Sequence, residues 1–280
     1  MGVFSRFHTG LKLTSESVKL LHQHPRLLIF PFCAASSSIA LSVTVFFLMA
    51  TASLFGGVRG WVALFFVYLS VAASVSFFTA ALVHATAARL RGEVPPLRQS
   101  IMAAWKKRSP VFLWAAIAAS VGLVLRWFTQ SDSALTRVVG SAFMLGWIAM
   151  TFFVLPVIVF EKRPTRQLFA RSLSLFRNTW GEVTSVGLGI SLVHVLFATG
   201  LVSSIVLLTA ALTTVVTLPS GVYVWGIVGA ILLSYLFGKT VTAITKTVVY
   251  LHVHAELTPT QFPAATALVT DTHKSTETRH

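Results

Sequence analysis

Nine histidines, eight carboxylates and one cysteine are the groups with which this chain could relay protons, hold a metal or attack a substrate. His194 stands in residues 183–218, a run without Lys, Arg, Asp or Glu. An ionisable residue at bilayer depth is a functional candidate, and an imidazole there could pass a proton or hold a solute. The competing reading is a neutral ring bonded to a neighbouring helix or hydroxyl. A proton relay wants a carboxylate partner in the membrane, and none of the eight acids falls inside an expected span. His84 and His254 sit at the ends of apolar runs, as interfacial residues. His22 and His24 would need a further metal ligand, and none is offered. His252 and His254 are two apart, which does not place them on one helix face. With Cys33 alone, no intramolecular disulfide and no cysteine metal site can form. No HExxH, phosphate-cradling loop or nucleophile elbow occurs. The sequence therefore predicts no catalytic constellation, no cofactor and no metal.

The remaining chemistry is cationic. Residues 161–182 read EKRPTRQLFARSLSLFRNTWGE. On a helix starting near Pro164, Leu168, Ser172, Leu175 and Thr179 follow at three- and four-residue steps, flanked by Phe169 and Phe176. Arg166, Arg171 and Arg177 fall on the other side. One apolar stripe against one cationic face describes a helix in a membrane interface. Residues 89–109 repeat the design, with Leu97, Ile101, Ala104 and Trp105 on one face and Lys106 and Lys107 off it. Residues 1–26 do so again, with Phe4, Phe7, Leu11, Thr14, Val18 and Leu21 as the apolar positions. Lys239 and Lys246 share a helix face near the end of the last apolar run. Lys239 is expected to snorkel, or to hold an anionic lipid together with Arg171 or Arg177. These cations are the expected contacts for anionic headgroups or for a protein partner. Trp61, Trp105 and Trp180 read as interfacial anchors.

The elements that must position these groups are long and apolar. The chain is 55% hydrophobic and only 11% charged, whereas soluble domains carry about a quarter charged residues. A formal net charge of +14 would point to nucleic acid in a soluble protein. No polar domain exists here to present such a face, so nucleic acid is not an expected partner. Membrane spans are predicted at residues 27–55, 61–88, 110–130, 138–160, within 183–218, and at 222–245. The fifth run has 36 residues, about 54 Å of helix against a core of roughly 30 Å. It is expected to tilt, kink or run along the surface, with Gly187 and Gly189 as the place for irregularity. Residues 257–280 read as a disordered polar tail.

The three basic segments align at Ser17, Ser100 and Ser172, and each ends in Pro25, Pro110 or Gly181. The predicted fold is all-α: one membrane domain, residues 1–256, of six transmembrane helices as three hairpins. Each hairpin follows an amphipathic surface helix, in units of about 1–88, 89–160 and 161–256. Nineteen of the 22 Lys and Arg lie on one side, and only Arg59, Arg126 and Arg137 on the other. Cations stay cytoplasmic, so both termini are expected inside, in the inner membrane of a prokaryote. The opening FSRFHTGLKLTSESVKLLHQHPRLLIFPF and the central RSLSLFRNTWGE resemble an uncharacterised family of prokaryotic six-helix integral membrane proteins, known only as a domain of unknown function. That resemblance implies the layout and the membrane location, and it assigns no activity or catalytic residue. The expected function is a non-enzymatic membrane protein whose basic helices contact anionic lipid or a partner, with self-association left open. The alternative is a transporter or channel with its site near His194. In a Cys33→Ser background, cysteines replacing Ser5 and Ser275 should react with an impermeant maleimide only after cells are permeabilised. Labelling of either in intact cells would refute the orientation.

Overall fold

In lipid, every backbone polar group must find its partner within the chain, and an α-helix does this locally. The computed structural model describes residues 3–52, 57–161, 164–178, 180–213 and 220–253, and among them every regular element is helical. These are α1 (Val3–Gln23), α2 (Ile29–Thr51), α3 (Gly57–Leu90), α4 (Leu97–Lys106), α5 (Arg108–Thr129), α6 (Ala134–Thr151), α7 (Val154–Phe160), α8 (Thr165–Asn178), α9 (Trp180–Thr213) and α10 (Ser220–Val253). A 3₁₀ turn, Pro25–Leu28, leads into α2. Six stretches are long and apolar enough to cross a membrane: Pro25–Thr51, Gly57–Leu90, Arg108–Thr129, Ala134–Phe160, Gly189–Thr209 and Val224–Leu251. They mark a multi-pass membrane protein. Thr179, His254 and the 257–280 tail lie outside the described residues.

Local sequence explains the helix ends. Helix α3 closes with Gly92 at φ +80°, while Gly92 N–H donates to the Arg89 carbonyl and Glu93 N–H to that of Ala88. This left-handed glycine cap satisfies carbonyls that the helix leaves open. Pro96 holds extended backbone before α4, and Ser133 accepts from Thr136 N–H at the start of α6. The fourth span is broken. Pro156 has no N–H for the Phe152 carbonyl, and its ring crowds that carbonyl. Helix α6 therefore stops at Thr151 and α7 restarts at Val154, where the sequence pattern predicts one unbroken span.

Two further expectations change. Helix α9 runs from Trp180 to Thr213 through Gly187 and Gly189 without interruption. Within it, Gly189–Thr209 is long and apolar enough to cross a membrane. The sixth helix does not end at Thr245 but continues to Val253, with Ile244, Val248, Val249, Tyr250 and Leu251 all buried. Lys246 and Tyr250 thus belong to a packed helix.

The chain divides into two compact units. One contains α1, the 3₁₀ turn, α9 and α10 as far as Thr245. There α1 lies along α9, and Phe197 of α9 stacks on Phe237 of α10 at 4.0 Å between centroids. Thr245 Oγ1 donates to Ser17 Oγ at 2.9 Å, with both residues fully buried. The buried face of α1 is Leu13, Thr14, Ser17, Leu20 and Leu21. It is turned from the expected stripe, while Lys12 and Lys19 are exposed as their spacing implies.

The other unit runs from Ile29 to Thr179 and includes Lys246–Leu257. Helix α3 is its centre, packed by α2, α4, α5 and α7. Residues 80–83, 85–88 and 90 are all buried, and five of them are alanines, whose small side chains let helices approach closely. Trp114 of α5 stacks on Trp147 of α6 at 5.6 Å. On α6, a Cβ at Gly140 would sit 2.6 Å from Phe128 Cβ, whereas Gly146 faces open space. Gly146→Ala should raise stability by up to about 1 kcal/mol through helix propensity. Gly140→Ala should lower the thermal midpoint in detergent; a gain at both positions would refute this close approach.

Candidate functional site

The densest polar cluster among the described residues forms around the short helix α7. Its residues Val154, Pro156, Val157 and Ile158 are buried, so the groups at its two ends need partners inside the protein. At its start, the Phe153 N–H released by the break donates to Ser172 Oγ of α8 at 3.0 Å. Ser172 is fully buried. An apolar residue there would leave a buried amide unpaired, at a cost of about 1–3 kcal/mol. The Phe152 ring packs on Phe153 and Phe176 and carries the Lys246 ammonium 4.1 Å from its centroid.

At its end, α7 delivers Glu161, whose side chain is 13% exposed. Glu161 Oε1 accepts from Arg171 Nε at 3.0 Å and from the Tyr250 hydroxyl at 3.0 Å. Lys107 Nζ donates to the Glu161 main-chain oxygen at 3.2 Å. Tyr250 stacks on Phe160 with 5.5 Å between centroids, and it lies one turn beyond Lys246 on the same helix face. One carboxylate and its carbonyl thus join the α4–α5 corner, α7, α8 and the end of α10. A carboxylate just ahead of α8 is placed to complement that helix's N-terminus; that of Glu161 is instead the hub of these contacts. Glu161 supplies this cluster with a balancing negative charge and with hydrogen-bond acceptors.

The predicted cations separate into two groups. Arg166, Arg177, Lys106 and Lys239 are exposed, whereas Arg171 and Lys107 are half-buried and committed to Glu161. Lys239 Nζ lies 5.2 Å from the ring of Tyr235, one turn earlier on its own helix. His194 is half-buried against Gly238, where a Cβ would come within 2.8 Å of Nδ1. That contact is helix packing. Among the described residues, no three His, Cys, Asp or Glu side chains gather as metal ligands would.

The apolar stripe of α8 also takes a different place from the one expected. Leu168, Ser172, Leu175 and Phe176 are buried, and Phe169 packs on Trp114 and Trp147. The stripe is covered by protein rather than offered to acyl chains, and the outward face carries Arg166, Gln167, Ala170, Ser174 and Arg177. Tyr250 and Phe152 carry no expectation from sequence, and for Lys246 the sequence suggests only a helix face shared with Lys239. Pro156 and the four-residue spacing of Lys246 and Tyr250 were the available signals.

A family of unknown function (DUF6159) matches residues 58–259. The central segment 171–182 lies within that match and the opening segment precedes it. No curated protein and no solved structure matches the chain.

Tyr250→Phe should cost about 1.5–3 kcal/mol, the usual worth of a hydrogen bond to a charged group. In a Glu161→Gln background the same change should cost clearly less, because the charged acceptor is gone. Equal losses in both backgrounds, measured by denaturation in detergent, would remove Glu161 from its place as hub.

Proposed function

The chain belongs to that family, and from its own chemistry we propose that it is a non-enzymatic membrane protein whose basic helices hold anionic lipid headgroups. Its spans form three hairpins, each led by a surface helix. The basic ends and both termini face the cytoplasm of a prokaryotic cell, across its plasma membrane. The observation that carries the reading is the outward face of α8. Its apolar side is fully taken up by protein, so Arg166 and Arg177 are held facing away from the core. Lys106 on α4 and Lys239 on α10 are exposed as well. Each cation near an anionic leaflet contributes about 1 kcal/mol, and several held on packed helices act together. Arg171 and Lys107 serve indirectly: through Glu161 they fix the helices that carry the exposed cations. A transport path at His194 gains no support from a ring that rests on Gly238.

Arg166→Glu with Arg177→Glu should lower retention of anionic phospholipid by about tenfold or more, given roughly 1 kcal/mol per cation. Native mass spectrometry of protein extracted from mixed-lipid nanodiscs would read this. Retention unchanged in a variant with an unaltered melting temperature would refute the proposal.

A further inference from the structure

Helices α4 and α8 read alike in sequence but are packed in opposite senses. In α8 the large apolar residues point inward: Leu168 is 2% exposed, Leu175 4% and Phe176 7%. In α4 the inward residues are small, with Ser100 1% and Ala104 2% exposed. The large ones point out: Ile101 is 36%, Met102 47% and Trp105 51% exposed. With about 3.6 residues per turn, Met102 stands opposite the midpoint of Ser100 and Ala104, Trp105 stands beside it, and Ile101 lies on the flank. A helix in contact with water gains by burying its large apolar groups and exposing its small ones. Helix α4 does the reverse, which is favourable only where its outer surroundings are not water.

What surrounds it is indicated by two further observations. Exposed apolar residues recur just past the corner in α5, where Phe112 and Leu113 are 45% and 47% exposed within a stretch able to span the membrane. Basic residues border the same surface. Arg98 and Lys106 are exposed on α4, and the Arg108 guanidinium lies 5.7 Å from the Trp105 ring centroid. Helix α4 contains no acidic residue. Apolar side chains including a tryptophan, close to a lipid-facing span and rimmed by cations, are the chemistry of the headgroup–acyl boundary. Trp105 is also held edge-on to Phe77 of α3 at 6.1 Å, so its ring is presented from a fixed base.

We infer that α4 alone of these two helices inserts into the bilayer interface, through Ile101, Met102 and Trp105, while α8 stays on the aqueous side of the headgroups. This rests on the membrane reading above but not on preference for anionic lipid. The test uses the full-length protein with Cys33→Ser and one added cysteine at Met102, Ala170 or Phe112, each labelled with bimane. The labelled protein is placed in nanodiscs of zwitterionic phospholipid containing doxyl-labelled acyl chains. Quenching at position 102 should match that at 112 and exceed that at 170 by at least about twofold, as expected for a helix sunk below the headgroups. Equal quenching at 102 and 170 would overturn the inference. So would protection of position 102 that grows with protein concentration, which would mean that a second copy covers it. Because the lipid is zwitterionic, loss of anionic-lipid retention in the arginine variants would leave this result untouched.

Discussion

A proline in a membrane span leaves a carbonyl and an amide to be dealt with where no water can reach them. Here the proline is Pro156, and its consequences organise one end of a whole compact unit. The break it forces releases the Phe153 amide, which Ser172 captures from α8. Beyond the break α7 restarts as a short, buried helix, and the residue that caps it, Glu161, reaches Arg171, Tyr250 and Lys107. Without the break, Ser172 of α8 would have no freed amide to accept from, and Glu161 would emerge elsewhere. The polar contacts at this end are therefore not scattered ion pairs of small individual worth. They are the two anchors of one displaced segment.

The serine at the centre of each basic helix acquires a physical meaning from this. Ser17, Ser100 and Ser172 are all at most 1% exposed. Ser17 takes a hydrogen bond from Thr245, and Ser172 takes one from a main-chain amide. A hydroxyl is small enough to sit where two helices touch, and it can accept there as well as donate. A shared small residue allows each basic helix a close seat on its neighbours; the Ser17 and Ser172 hydroxyls accept from different donors there, and the buried Ser100 hydroxyl has no partner among the described residues.

Much of this was legible in residue order, and the failures share a cause. Charge-free runs located the spanning helices, because a helix of about twenty apolar residues leaves little else to choose. The polar–apolar alternation located α1, α4 and α8, because it is periodic and local. What covers an apolar face is not local. The stripes of α4 and α8 look alike on a helical projection, yet protein covers one and leaves the other open, and only tertiary packing decides which. Gly187 and Gly189 misled because a glycine costs a helix only about 1 kcal/mol, less than the unpaired groups a kink in lipid would create. Glu161 was read as a helix-terminus charge because its partners lie 10 and 89 positions away, distances that no periodicity reports.

The contact made by Lys107 differs in kind from those around it. Arg171 and Tyr250 recognise a carboxylate, so they read the identity of the side chain at position 161. Lys107 grips a main-chain oxygen, which every amino acid supplies. Two kinds of recognition thus meet in one cluster of atoms: hydrogen bonds that require a carboxylate at position 161, and one to the main chain that does not.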